Sequence, residues 1–542
     1  MTSSSGAGSA RVAELLAMYG ASDIRVCDLL CDRHPADHVA FTLIDADMTA
    51  TDLIYGTLRR ESEALAGSLR AMGAKRGDRI ATLMGKRREL LVSLMAIWRL
   101  GAVHVPLFTA FAPPAIAYRL DASHCRFVFC EEAQEPKLRE LIDGGARSWR
   151  AITTGPSSDY ATALADLPHA ESVTVGEAVG GDGPIVQIYT SGTTGAPKGV
   201  LVPARALAAF QAYLEFGLDV QPGDVYWNGA DPGWAYGLYW AVLAPLAAGL
   251  RALFLCAPFA PDTAFKVLEQ FKVTNFTAAP TVYRAMLGSE AATGRRIPLR
   301  AASSAGEPLT PEVNAWAVEA LGVEVRDHYG QTEAGMIINN HQHPALREPV
   351  RPGSMGKPMP GWSIAILGPD LTPLEDGKIG VVAVDLSRSP LAWFTGYADA
   401  APGQSDKFSA DGRWYLTGDI GRIDEDGYVY FIGRDDDVIL MAGYRIGPFE
   451  IESVIVAHQA IAECAVVAVP DAVRGEVLQA VVVLKPGFLA SDALVKELQT
   501  WVKKGYAAHA YPRQVHFADA LPKTPSGKVQ RNVIRQELLA KA

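Results

Sequence analysis

Apolar residues recur at helical spacing in three stretches of the first 130 residues, and short apolar runs separate these stretches. The helical spacing covers residues 52–72, 89–100 and 115–123, and the strand-like runs are 79–83, 103–107 and 127–130. Strands that alternate with helices are typical of a parallel sheet with helices on both faces, joined by right-handed crossovers. We therefore predict that the chain begins with a layered α/β subdomain.

A second α/β subdomain is predicted at about 200–345, followed by a β-rich subdomain at about 350–433. The strand-like runs of the second block are 252–255, 275–278 and 300–304, whereas residues 131–183 are polar and indicate little. Short alternating runs between Gly and Asp turns then follow at 364–367, 379–384, 413–416 and 428–432. Alternation with a period of two predicts half-buried strands.

A charged, turn-like segment, GRDDD at 433–437, separates these blocks from a compact α+β pattern. That pattern has helical spacing at 448–456 and 493–504, and strand-like runs at 465–469, 477–484 and 515–517. We predict a large N-terminal domain at 1–433, a hinge at 434–437 and a small, mobile α+β domain at 438–542.

The composition limits the partners of the chain. With 50 Lys and Arg against 60 Asp and Glu, the formal net charge is −10, so nucleic acid and anionic lipid are not expected partners. The longest apolar stretch, 235–250, is too short and too interrupted to span a membrane, and reduced cysteines fit a cytoplasmic protein. Cys27, Cys31, His34 and His38 superficially suggest a metal cluster, but their spacing does not fit a zinc finger.

The most informative stretch is YTSGTTGAPKGV at 189–200, which lies between the apolar runs 185–189 and 200–202. Its glycines let the backbone approach an anion closely, its hydroxyls donate hydrogen bonds, and Lys198 adds a positive charge. It is not the common nucleotide P-loop, because Lys198 follows a proline rather than a glycine. We predict a phosphate-binding loop between two strands.

Five stretches, in this order, resemble the motifs of the acyl-adenylate-forming superfamily, which contains acyl-CoA synthetases, peptide-synthetase adenylation domains and luciferases. They are YTSGTTGAPKGV at 189, SAGEP at 304, DHYGQTEAG at 327, YLTGDIG at 415 with GRDDDVILMAGYRIGPFEIE at 433, and PKTPSGK at 522. The resemblance covers nearly the whole chain, and it implies that ATP activates a carboxylic acid.

The resemblance also implies a nucleotide site. ATP or AMP would contact Thr190, Ser191, Gly192, Thr193, Thr194, Lys198, Gly306, Glu307, Pro308, Asp327, Tyr329 (stacked on the base), Gly330, Gln331, Thr332, Asp419, Arg434 and Arg445. Within this set, Lys198 suits the leaving phosphates, Asp327 the adenine amino group, and Asp419 both ribose hydroxyls. Thr332 would contact the α-phosphate, and Glu333 offers a hard oxygen ligand for Mg²⁺.

Lys528 is the predicted catalytic lysine, with Thr332 and Glu333 as the other catalytic residues. Its loop is rich in Pro, Gly and Ser, and the ammonium would bridge the substrate carboxylate and the α-phosphate. The family rotates its small domain between two half-reactions, and Asp436 matches the hinge position. After rotation, Gly443 and Tyr444 would line the path of the coenzyme A thiol, because a glycine leaves that path open.

The acyl group is expected to contact Trp234, Ala235, Tyr236, Ala305 and Gly330. The sequence DPGWAYG is similar to that of short- and medium-chain acyl-CoA synthetases. In their acetate-specific members a tryptophan occupies the place of Gly330, so this glycine and the small Ala305 predict a short- to medium-chain or small aryl acid larger than acetate. Core packing explains Trp234 equally well. No cation nearby matches a second carboxylate, which disfavours dicarboxylates and amino acids.

The predicted enzyme is an ATP-dependent acyl-CoA ligase that uses ATP, Mg²⁺ and coenzyme A. One alternative is a stand-alone adenylation enzyme that loads a carrier protein, or a luciferase-like oxygenase; no carrier segment is seen before residue 542. A second alternative is a binding protein without catalysis, which intact Lys198, Glu333, Asp419, Arg434 and Lys528 disfavour.

Overall fold

The computed structural model describes most of the 542 residues. The described residues are 3–143, 148–190, 197–307, 309–398, 400, 405–434, 439–441, 444–446, 448–471, 475–505, 511–524 and 529–541. Structural statements below concern these residues.

Helices and strands alternate through the first two thirds of the chain, and strands dominate afterwards. The helices are α1 Ser3–Tyr19, α2 Tyr55–Ala71, α3 Arg88–Arg99, α4 Pro113–Ala122, α5 Glu135–Asp143, α6 Ala206–Ala212, α7 Ala235–Gly237, α8 Ala244–Ala248, α9 Pro261–Gln270, α10 Pro280–Leu287, α11 Pro311–Ala320, α12 Pro448–Val456, α13 Asp492–Gly505 and α14 Arg531–Lys541. π-helical segments lie at Asp28–Asp32, Tyr213–Gly217 and Leu238–Leu243, and 3₁₀ turns at Glu132–Gln134, Leu164–Asp166, Glu290–Ala292 and Leu386–Arg388.

The strands of the first half are β1 Val39–Ile44, β2 Ala50–Ile54, β3 Arg79–Leu83, β4 Val103–Pro106, β5 Cys125–Cys130, β6 Arg150–Thr153, β7 Ala161–Ala163, β8 Pro184–Thr190, β9 Lys198–Pro203, β10 Tyr226–Asn228, β11 Ala252–Leu255 and β12 Asn275–Ala278. Those of the second half are β13 Ala301–Ala305, β14 Val325–Gln331, β15 Gly335–Asn339, β16 Ser354–Pro358, β17 Ile364–Leu367, β18 Gly380–Asp385, β19 Trp414–Ile423, β20 Val429–Arg434, β21 Ile439–Met441, β22 Tyr444–Ile446, β23 Ile461–Asp471, β24 Gly475–Leu484 and β25 Gln514–Phe517.

A seven-stranded sheet has the order β7-β6-β5-β3-β4-β8-β9. All its pairs are parallel except the hairpin of β8 and β9, which forms one edge. Helices α3 and α6 are buried almost all round, as expected of helices enclosed by other layers. The hairpin therefore carries both ends of the predicted phosphate loop at the edge of a rigid sheet.

A larger sheet has the order β17-β18-β19-β20-β16-β15-β14-β13-β12-β10-β11-β1-β2. Strands β10 to β14 are parallel to one another, so their carboxyl ends share one edge, where α/β proteins bind ligands. Bulges interrupt several antiparallel pairs, including β14 with β15 and β19 with β20. Bulges bend strands, and hydrogen bonds join side chains of β14 and β19 although four steps separate these strands in the order.

The last hundred residues have their own buried cores. One apolar cluster lies between α12, α13 and the three-stranded sheet β23-β24-β25, and another lies between that sheet and α14. Every member of both clusters follows residue 450. Independent burial of this kind is consistent with the domain that the sequence predicts from 438 onward.

The α/β architecture predicted from the sequence is confirmed, and several strands have the predicted bounds, among them β3, β11, β12 and β17. The helix predicted at 52–72 begins later, because residues 50–54 pair with β1 as an edge strand. The polar stretch 131–183 was not assigned elements, yet it supplies α5, β6 and β7. None of the described helices combines the length and the apolarity that crossing a bilayer needs.

Candidate active site

The two ends of the predicted phosphate loop lie directly opposite each other, because Thr190 pairs with Lys198 in the β8–β9 hairpin. Residues 191–196 lie outside the described residues. The Lys198 ammonium is 3.6 Å from an Asp406 carboxylate oxygen and 4.9 Å from the centre of the Tyr397 ring. Both members of the ion pair are well exposed, and such pairs contribute under about 1 kcal/mol. The ammonium can therefore exchange this partner for a phosphate.

Glu333 and Lys198 share Tyr397 as a neighbour. Its side chain is buried, and its Oε1 accepts a hydrogen bond from the Tyr397 hydroxyl at 2.9 Å. Tyr397 therefore contacts both Lys198 and Glu333, and its backbone pairs with Val200 on β9. A buried carboxylate with one oxygen oriented by a tyrosine fits the single hard ligand that Mg²⁺ takes when it keeps several waters.

Asp419 is the buried carboxylate of β19. The hydroxyl of Tyr329 and the amide of Gln331, the latter at 2.8 Å, donate hydrogen bonds to the same carboxylate oxygen, Oδ2. Arg434, its strand partner on β20, is 3.9 Å from the other oxygen. Burial raises the pKa of Asp419, and the charge of Arg434 opposes that rise. An ionised carboxylate can accept about four hydrogen bonds, so Asp419 can also accept from ribose hydroxyls.

Gln331 fixes this arrangement. Its amide nitrogen also donates to the Thr417 carbonyl at 2.9 Å, and its amide oxygen accepts from the Tyr415 hydroxyl at 2.7 Å. These partners determine which end of the amide is which, since a carbonyl accepts only. The side chain therefore holds β14 and β19 together at the predicted ribose site.

The predicted adenine slot contains an acceptor without a donor. Oδ1 of Asp327 is shielded from solvent and has no hydrogen-bond partner among the described residues. Burial raises the pKa of this carboxyl to about 8. Nearby, Gly306 has a φ of +104°, which favours glycine, and Glu307 pairs with Arg284 at 2.7 Å. Pro308 lies outside the described residues.

The residues predicted to contact the acyl group differ in their surroundings. Trp234 packs against Phe108 and Phe111, with ring centres 5.3 and 5.4 Å apart, so it belongs to an aromatic cluster of the neighbouring subdomain. Ala305 is buried at the end of β13, whereas Ala235 and Tyr236 keep accessible surface. The backbone carbonyl of Thr332 accepts a hydrogen bond at 3.3 Å from the hydroxyl of Tyr239, which lies in the π-helical segment Leu238–Leu243.

Gly330 has a role that the sequence did not predict. It follows the bulge between β14 and β15, and a Cβ atom there would lie 2.1 Å from the Gly335 carbonyl oxygen. Real Cβ contacts are never that short, so any side chain at 330 requires the backbone to move. This backbone therefore admits only a glycine at 330, and the effect of that glycine on the size of the acyl site stays a prediction.

The C-terminal motif is described only at its ends. Lys523 and Val529 form an antiparallel β-bridge. The backbone N–H of Gln530 donates a hydrogen bond to the backbone carbonyl of Pro522 at 2.9 Å. Residues 525–528, which include the predicted catalytic Lys528, lie outside the described residues, as do Asp436 and Gly443. Tyr444 and Arg445 lie on β22. The bridge therefore closes the base of the Lys528 loop.

Comparison with known protein families matches two stretches of the chain. The family described as AMP-binding enzyme matches residues 28–397, and the family described as AMP-binding enzyme C-terminal domain matches residues 450–528. The chain belongs to the AMP-binding enzymes. The superfamily resemblance inferred from five motifs is thereby confirmed.

Curated relatives of this AMP-binding enzyme include acetyl-coenzyme A synthetase of Bacillus subtilis, 35% identical over 89% of this chain and 84% of the relative. Human mitochondrial acyl-coenzyme A synthetase ACSM3 is 34% identical over 86% and 80%. Among solved structures, a Brucella canis acyl-CoA synthetase is 40% identical with a TM-score of 0.75, covering 99% of both chains. The anthranilate CoA ligase AuaEII, in complex with anthranoyl-AMP, is 26% identical with a TM-score of 0.85, covering 96% and 99%.

The structure adds two residues to the candidate site of this AMP-binding enzyme that the motifs missed. One is Tyr397, described above. The other is Lys407, whose ammonium donates to the Thr417 carbonyl at 2.7 Å. Burial lowers the pKa of Lys407, while the charges of Glu333 and Asp419 raise it. Neither residue lies in one of the five motifs, and a lone Tyr or Lys in a loop carries no sequence signal.

Proposed function

We propose that the chain is an ATP-dependent acyl-CoA ligase of the AMP-forming class. It first converts a carboxylate and ATP into acyl-AMP and pyrophosphate, and then coenzyme A displaces AMP to give acyl-CoA. The observation that carries the proposal is that Tyr397 contacts both Glu333 and Lys198, while the charges of Glu333 and Asp419 both act on Lys407. The acyl-CoA synthetases among its relatives support the same reaction.

In the first half-reaction, a carboxylate oxygen bonds to the α-phosphorus of ATP while the bond from that phosphorus to the pyrophosphate oxygen breaks. Lys198 and the hydroxyls of Ser191, Thr193 and Thr194 hold the departing phosphates. Thr332 and Lys528 stabilise charge on the α-phosphate, since phosphoryl transfer depends mainly on positioning and electrostatics. Glu333 would hold Mg²⁺, which would supply further neutralisation of phosphate charge.

The nucleoside half is bound by strands of the large sheet. Asp419 accepts from the ribose hydroxyls, with Arg434 beside it, and Asp327 accepts from the adenine amino group. Tyr329 already donates its hydroxyl to Asp419, so its ring is fixed against the ribose site. Asp327 and Tyr329 come from β14, Asp419 from β19 and Arg434 from β20, and hydrogen bonds between side chains join β14 to β19.

In the second half-reaction, the small domain at 438–542 rotates about the hinge at 434–437, where Asp436 lies. Lys528 leaves the site and the face with Gly443 and Tyr444 arrives. The coenzyme A sulfur, having lost its proton, bonds to the acyl carbon, and AMP leaves with the electron pair. The exchange lets one cleft serve two different reactions. We propose a cytoplasmic location for the enzyme.

The test is pyrophosphate release from ATP in the presence of a carboxylic acid, with and without coenzyme A. We expect acid-dependent release of pyrophosphate in both cases, and formation of acyl-CoA only when coenzyme A is present. Acyl-AMP that turns over only with a carrier protein would instead support an adenylation enzyme. If no acid from acetate to octanoate or benzoate stimulates release, the proposal is wrong.

The same panel tests the substrate. We propose that the preferred acid is larger than acetate, either a short- to medium-chain acid or a small aryl acid. Ala305 and the absence of a bulky side chain at 330 support this, although acetyl-coenzyme A synthetase is among the relatives. A buried methylene contributes about 0.8 kcal/mol, so kcat/KM should rise about fourfold per added carbon until the pocket is full.

A further inference from the structure

Three side chains form a hydrogen-bonded chain that runs from the predicted acyl site into the core. The hydroxyls of Tyr236 and Tyr213 are 3.2 Å apart, and the Tyr213 hydroxyl is 2.6 Å from Nδ1 of His328. Nε2 of His328 is 3.1 Å from the carbonyl oxygen of Asn340. The chain thus ends on a backbone group that can only accept.

That ending determines the direction of every hydrogen bond. Nε2 of His328 must carry a hydrogen to donate to the Asn340 carbonyl, and burial lowers the pKa of His328 to about 3, so the ring is neutral. Nδ1 is therefore an acceptor, and Tyr213 donates its one hydrogen to it. Tyr236 must in turn donate to Tyr213, since the Tyr213 hydrogen is already used.

Only the outer end of the chain is accessible. Tyr213 and His328 are 0% and 2% exposed, whereas Tyr236 keeps accessible surface. Both tyrosine rings pack on Trp240, with centres 4.9 and 5.2 Å from it, which holds the two hydroxyl oxygens in place. Because its hydrogen is used toward Tyr213, the Tyr236 hydroxyl has only lone pairs to offer to an acyl group that reaches it.

We infer that Tyr236 is a specificity-determining residue that selects carboxylic acids bearing a neutral hydrogen-bond donor, a hydroxyl or an arylamine, on the acyl portion. This inference rests on the proposed function and deepens it. A methyl group in the same place would cover the tyrosine oxygen without bonding to it. One neutral hydrogen bond corresponds to a preference of about three- to tenfold.

The experiment compares acids that differ only by a hydroxyl in place of a methyl. The pairs are 3- and 4-hydroxybenzoate against the matching methylbenzoates, and 6-hydroxyhexanoate against heptanoate. The wild type should show a kcat/KM ratio of about three to ten in favour of the hydroxyl acid in at least one pair. Tyr236→Phe should bring that ratio to one.

A second variant tests the direction of the chain. Tyr213→Phe removes the acceptor for the Tyr236 hydrogen and leaves the Tyr236 hydroxyl free to donate. The variant should therefore improve its kcat/KM for the matching methoxybenzoate, which only accepts, by about three- to tenfold relative to the methylbenzoate. Tyr226→Phe is the matched control, because it removes a buried hydroxyl that donates to the Trp240 carbonyl, outside this chain. Its ratios should equal those of the wild type.

Equal kcat/KM within every pair for the wild type, or an unchanged ratio in Tyr236→Phe, would overturn the inference while leaving the proposed ligase intact. If no acid stimulates pyrophosphate release at all, the ligase proposal fails first. Calorimetric binding of the same pairs to the full chain then decides the inference separately, with preferential binding of the hydroxyl acid supporting it and equal binding refuting it.

Discussion

Asp327 and Asp419 are carboxylates on neighbouring parts of one sheet, yet their surroundings make them different chemical groups. Asp419 has two side-chain donors and an arginine, which oppose the effect of burial on its pKa. Asp327 has a bare Oδ1, and burial raises its pKa to about 8. The donors around Asp419 stabilise its ionised form, which accepts from a ribose, whereas burial of Asp327 favours its protonated form near neutral pH.

Nucleotide binding is therefore expected to expel a proton from Asp327. The adenine amino group would donate to Oδ1 and favour the ionised form, so the pKa falls on binding and affinity increases between pH 6 and pH 8, levelling above pH 8. Calorimetry of AMP binding in buffers of different ionisation enthalpy measures the proton at pH 7. Asp327→Asn should bind with a flatter pH profile and without this proton. Identical proton release in both proteins would contradict the assignment.

At the scale of elements, the site depends on contacts between β14 and β19, two strands of one sheet that are not adjacent in the strand order. Sequence motifs identified Gln331 and Asp419 separately, but their contact follows from bulges in β14 and β19, which have no strong sequence pattern. Tyr397 was missed for the same reason, because its place beside Glu333 comes from pairing with Val200 on β9. Strongly apolar strands were predictable from sequence alone, whereas short or polar strands such as β6 and β7 were not.

A buried ion pair connects α3 to the segment Asp28–Asp32. Arg99 is fully buried and donates to both oxygens of Asp32 at 2.8 and 2.7 Å, with Glu63 4.0 Å away. Asp32→Ala leaves the guanidinium without its main partner and should lower the free energy of unfolding by about 3 kcal/mol, measured in urea.

The matched control for this pair is Asp28→Ala, in the same segment. Asp28 faces Arg25 at 3.8 Å, and both side chains are more than two-fifths exposed. Its loss should change the free energy of unfolding by under about 1 kcal/mol. Equal effects of the two substitutions would show that burial of Arg99 does not set the stability of this region.

At the scale of the whole molecule, the two family matches and the separate cores agree on a large and a small unit. The sequence predicted both units, the hinge and the Lys528 loop. The roles of the hinge and of the loop stay predictions, because Asp436 and Lys528 lie outside the described residues. Measuring the two half-reactions separately tests the role of the hinge and the role of the Lys528 loop.

Lys528→Ala should slow acyl-AMP formation by about 10²–10³-fold, the usual effect of removing one donor from a transition state. It should leave thioester formation from supplied acyl-AMP within a few-fold of the wild type, because the proposed rotation removes Lys528 from the site before that step. Lys523→Ala is the control, since Lys523 lies at the base of the same loop and pairs with Glu463 at 2.7 Å. Equal loss of both half-reactions in Lys528→Ala would argue against domain rotation.

Strand β9 is the last strand of its sheet, and such an edge offers unpaired amides to other molecules. Here the segment around Tyr397 covers that edge, through its bridge to Val200 and the hydrogen bond from Ala398 to Gly199 at 2.7 Å. The same short segment therefore occupies backbone groups of β9 with which a strand of another molecule could pair, and its Tyr397 also orients Glu333. Natural variation at 397–398 should consequently be limited by self-association as well as by turnover.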